Sequence, residues 1–185
     1  MSNFLYMKLK LFFILIFLSF INCEKDPKEK FYQLKQVPSF VLWKNIETIS
    51  ANDFGHKNNW GSSRPFIQIM TGIDIPKNEL LYFVYLDKEK SKLNTNQPKD
   101  SIDNIILYTN FKMDCYEIMG RKYVQKFRNR ENMKIESRED TKYITGEIVA
   151  AAELELKKIS DRIWYSKFDK DTISEIRLEL SEQLK

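Results

Sequence analysis

The chain has 185 residues, with 30 basic and 26 acidic side chains, 43% hydrophobic residues and only five glycines and five prolines. That composition suits a folded domain with a sizeable core and excludes a disordered or low-complexity chain. Lys8 and Lys10 precede the first acidic residue; without them the basic excess falls to two, too small for the electrostatic footprint of a nucleic-acid binder, so no nucleic-acid partner is expected.

The first organised stretch, Lys8 to Cys23, reads KLKLFFILIFLSFINC. Its apolar run from Leu11 to Ile21 is too short to span a membrane: about eleven helical residues cover roughly 16 Å, where a bilayer core needs about 30 Å. A basic segment followed by a short apolar one is the form of an export signal, here residues 1–22, with Met7 as an alternative start. The junction Phe20-Ile21-Asn22 lacks the small residues of an ordinary cleavage site, so the cysteine that ends the run is the better marker of cleavage.

These residues resemble the signal of bacterial lipoproteins, which ends in a lipobox before a lipidated cysteine. Phe20 and Asn22 stand where that class usually carries Leu and a small residue, so the resemblance is to a relaxed lipobox. An uncleaved signal anchor is the competing reading. The resemblance covers only the first 26 or so residues. It implies acyl chains such as palmitate on Cys23, membrane attachment through that lipid, and a place in the bacterial cell envelope, with the periplasmic and surface faces both open. Residues 23–30 then form the attachment cysteine and a charged tether, EKDPKEK, ahead of a single globular domain over residues 31–185.

Within the domain, Phe31-Tyr32 and Ser39 to Trp43 read as early strand, on an edge because of Pro38. Ala51 to Pro65, ANDFGHKNNWGSSRP, is a loop without periodicity. Its Asp53, His56, Trp60 and Arg64 offer a carboxylate, an imidazole, an indole and a guanidinium, which makes it the candidate binding loop. The bland alternative is a connection with no task. Phe66 to Met70 and the unbroken run Leu80 to Leu86 read as strands, the second as the centre of a sheet.

Ile105 to Thr109, Met113 to Met119 and Arg121 to Phe127 predict three more strands, the last two reversing at Gly120. Residues 148–159 alternate as a half-buried strand does, yet also place Val149, Ala152, Leu156 and Ile159 on one helical face. Residues 172–184 are equally ambiguous, with Thr172 to Glu175 in the form of a capping box, whereas Arg162 to Phe168 reads more firmly as strand. Together these runs predict a mainly β fold, an antiparallel sandwich or barrel-like domain, with α+β as the alternative.

The chain carries no phosphate-binding or dinucleotide-binding glycine motif and no nucleophile elbow; with one histidine it has no histidine-based metal site, and no cofactor is expected. Cys115, flanked by Met113 and Ile118, reads as a small buried hydrophobe. The functional expectation is a membrane-anchored envelope lipoprotein acting as a binding or structural module, with its protein or small-molecule ligand open. The alternative is an envelope hydrolase using carboxylate acid and base chemistry, which needs two acids facing one another across a concave site.

Overall fold

The computed structural model describes residues 27–45, 49–74, 76–129 and 138–185. The export signal and Cys23 lie outside them. In chain order the elements are α1 (Pro27–Leu34), β1 (Phe40–Leu42), a single 3-10 turn (Ala51–Asp53), β2 (His56–Asn58), β3 (Ile67–Asp74), β4 (Glu79–Asp87), β5 (Lys92–Asn94), α2 (Lys99–Asn129), α3 (Arg138–Tyr165) and α4 (Lys170–Gln183).

The described residues are 57% helical and 19% strand, so the fold is α+β and the mainly β expectation is overturned. Ile105 to Phe127 is not three strands but the interior of one 31-residue helix, α2. Its middle is buried on nearly every side, from Thr109 through Ile118, because the sheet covers one flank while α3 and α4 cover others. A helix enclosed in this way loses its polar stripe, and its sequence then looks like the apolar runs of buried strands. Gly120 makes no turn: a Cβ there would lie 2.4 Å from the Tyr82 ring, so the missing side chain lets α2 approach β4.

Residues 148–159 and 162–165 are likewise helical, within α3. Ile144, Ile148, Ala152, Leu156, Ile159 and Ile163 recur at three- and four-residue spacing and are all buried, which is the inner stripe of an amphipathic helix. The tail is α4, capped by Asp169, whose carboxylate accepts the Thr172 amide hydrogen at 2.9 Å. Phe31 and Tyr32 also belong to a helix, α1, which has Pro27 in its first turn and Glu29 near its positive end.

β4 is the central strand of the order β1-β4-β3, as its unbroken apolar run predicts, and both its pairings are antiparallel. Alternate residues serve opposite faces. Leu80, Val84 and Leu86 join Ile67 and Ile69 in the main core beneath α2 and α3. Phe83 and Tyr85 face the other way, where Phe31 of α1 packs edge-on against Phe83 at 5.1 Å and Phe40 stacks on Tyr85 at 4.0 Å. A sheet covered on both faces needs no polar alternation in its central strand.

Several polar groups inside this core pair with one another. Trp43 donates its indole hydrogen to Asp114 at 2.7 Å, and Tyr82 and Arg121 both donate to Glu117, at 3.0 and 2.9 Å. Arg121 also donates to the Leu184 carbonyl and covers the Trp43 ring. One cluster therefore ties β4, α2 and the end of α4 together. Asp74, buried at the end of β3, accepts from Lys28 at 2.5 Å and fastens α1 to the sheet.

Candidate functional site

The candidate binding loop is tied down along most of its length. Asp53 is occupied by structure: its carboxylate accepts the Ser50 amide hydrogen at 2.9 Å and the Ser50 hydroxyl at 2.8 Å, and it pairs with Lys88 at 3.4 Å. His56 opens β2, which pairs in parallel with β5, and its exposed ring lines neither of the grooves described below. Beyond β2, Asn94 donates to the Gly61 carbonyl at 2.7 Å and to the Ser63 hydroxyl at 2.9 Å. Arg64 and Lys92 exchange backbone hydrogen bonds of 2.8 and 2.9 Å. The result is a wall, residues 60–66, held against β5.

Two grooves share that wall. The first is polar, with a volume of about 540 Å³, and brings Trp60 and Arg64 together with Phe66, Lys90 and Lys92. Lys90 lies 4.9 Å from the Phe66 ring centre and 3.1 Å from Asp87, so part of its charge is balanced. Among the described residues Arg64 and Lys92 have no ion-pair partner, and both side chains are exposed. Trp60 stands 80% exposed at the rim. Of the four residues singled out from the sequence, two converge here and two do not.

The second groove is apolar, about 400 Å³, and contains none of the four residues singled out from the sequence. Ser63 and Pro65 form its share of the wall. Ile105, Tyr108 and Phe111 of α2 and Ile163 and Trp164 of α3 supply most of the rest. Phe168 completes it from the turn between α3 and α4. That turn is built unusually. The Phe168 amide donates to Ile163 and that of Lys167 to Trp164, the paired bonds of a Schellman ending, but the left-handed positions are filled by Lys167 and Phe168, with φ of 55° and 62°. Glycine normally takes such a conformation, and each side chain there costs roughly 1–2 kcal/mol. The strained turn places an aromatic ring in the groove beside Ile163.

The signal for this groove lay in helical spacing: Leu156, Ile159 and Ile163 form a buried stripe that ends at exposed Trp164 and Tyr165. Reading Arg162 to Phe168 as strand hid it.

Among the described residues, no carboxylate lines either groove. Asp114 and Glu117 sit in the core network above. Hydrogen bonding from Lys28 holds Asp74 below the ordinary carboxylate range, and Arg162 does the same to Glu179. Burial of Glu153 works in the opposite direction and is outweighed by Lys112 and Tyr116. Burial, with Asp114 beside it, pushes the Cys115 thiol up to about 12, which leaves it protonated and unreactive at neutral pH. Among the described residues no group of His, Cys, Asp and Glu is placed to hold a metal ion, and no helix is long and apolar enough to cross a membrane. No protein-family model, curated protein or solved structure matches the chain.

Proposed function

We propose that residues 27–185 are the ligand-binding module of a lipid-anchored envelope protein, and that the apolar groove between α2 and α3 is its site. The groove itself carries the reading. Its volume of about 400 Å³ falls in the range of small-molecule sites, about 300–1,000 Å³. Its rim exposes Tyr108, Trp164 and Phe168, at 42%, 72% and 40%, and one of the three is held there by a strained backbone. Large aromatic side chains at the mouth of an apolar recess are what a ligand covers. The hydrolase alternative calls for two facing carboxylates and a raised acid, and among the described residues no such arrangement borders either groove.

The anchor half of the proposal rests on the lipobox resemblance at Cys23. Titration with the neutral probe N-phenylnaphthylamine tests the site: probe fluorescence rises on binding, and Ser160→Trp, which fills the groove from α3, abolishes the rise. A rise that survives this substitution in a folded variant rejects the groove. Cell fractionation tests the anchor, with Cys23→Ser expected to release the protein from membranes.

A further inference from the structure

We infer that the ligand of this groove is an anionic amphiphile, a single molecule with an apolar tail and a charged head. The tail lies in the apolar groove and the head beside Arg64 and Lys92. This rests on the apolar groove being a ligand site, and it adds the chemistry of the other end of the molecule. Ser63 and Pro65 line the apolar side while Ser62, Arg64 and Phe66 line the polar side, so neighbouring residues of one short segment separate the two recesses. Alternate residues of an extended segment point to opposite sides, which makes the wall one strand thick. A molecule filling the apolar groove and reaching over it meets the polar groove directly.

Charge then selects the head. Lys90 has Asp87 at 3.1 Å, but Arg64 and Lys92 stand exposed without an ion pair among the described residues, and none of those residues places an acid on the recess they border. Their backbones are joined by two hydrogen bonds as an antiparallel bridge, so the two side chains leave the chain as neighbours. A phosphate or carboxylate accepts from both at once, and Arg64 supplies the planar fork that such groups bind in two-point fashion. Trp60, exposed at the rim of the polar groove, adds an indole beside the head.

Calorimetric titration at neutral pH with three ten-carbon probes, each kept below its micelle concentration, tests this: decyl phosphate, decanoate and decanol. At least one anionic probe is expected to bind about tenfold more tightly than decanol, the scale of a charge-assisted hydrogen bond. The preference shrinks as salt is raised. The double variant Arg64→Ala, Lys92→Ala, altered only at exposed side chains, keeps decanol affinity and loses the preference. Phosphate and carboxylate heads are separated by comparing the two anionic probes. Equal affinity for all three probes, or a preference that survives the double variant, overturns the head-group assignment while the groove stands. Failure of every probe to bind, or binding that Ser160→Trp leaves unchanged, overturns the groove and this inference with it.

Discussion

Lys167 and Phe168 are two consecutive side chains in left-handed backbone, and they occupy the same turn for different reasons. Phe168 is in the groove; Lys167 is exposed and contributes only its conformation. Lys167→Gly is therefore expected to raise stability by roughly 0.5–1 kcal/mol, since glycine takes positive φ without the Cβ penalty. Thermal unfolding is the measurement, with a midpoint a few degrees higher than that of the parent chain. An unchanged or lower midpoint contradicts the strain argument. At this scale the sequence was informative where a residue's neighbours are local. Cys115 reads as a buried hydrophobe from its flanks and is one, at 1% exposure. Asp53 reads as a recognition group, yet its partners are three residues away in Ser50 and across the chain in Lys88, and only the fold shows that both oxygens are engaged.

Among the elements, α1 is fastened by a charged contact in a way that pH exposes. Asp74 is held below the ordinary carboxylate range first by the hydrogen bond from Lys28, against the opposing effect of burial. A depressed folded-state pKa contributes stability that is fully present above the ordinary range and is lost as pH falls through the depressed value. The Lys28–Asp74 contribution is thus present at neutral pH and declines below about pH 4. Urea unfolding of the parent and of Asp74→Asn across this range is expected to give the parent an advantage at neutral pH that closes in acid. A gap that stays constant with pH shows that the charge does not matter to α1. The elements also show how far periodicity carries. Leu80 to Leu86 is legible because seven apolar residues between Glu79 and Asp87 match the length of a strand buried on both faces. Met113 to Met119 is also largely apolar, broken by Asp114 and Glu117, but it lies inside a helix covered on nearly every side, and short apolar runs do not distinguish the two. Residues 172–184 keep a helical option because Thr172 to Glu175 has the form of a capping box ahead of Ile173, Ile176, Leu180 and Leu184, and in α4 Ile176 and Leu180 are the buried ones.

For the whole molecule, one apolar core runs from Ile49 through the sheet and α2 to Leu180 in α4, and the Arg121 network joins its far ends. The described residues are accordingly expected to unfold in one cooperative step, with a far-UV circular dichroism spectrum dominated by helix. Coincident denaturation curves from circular dichroism and from tryptophan fluorescence check this; two separated transitions refute it. The same architecture bears on reach. α1 begins at Pro27, so on the proposed anchor only residues 24–26 lie between Cys23 and a helix that is clamped to the sheet through Lys28. Cys23 to Pro27 is four residue steps, which extend at most about 14 Å. On that anchor the start of α1 is kept within this distance of the lipid-bearing residue. α1 covers one face of the sheet and the helices that form the groove cover the other. With Cys23 anchored, the face of the sheet under α1 would be the one held nearest the bilayer, with α2 and α3 across the sheet from it.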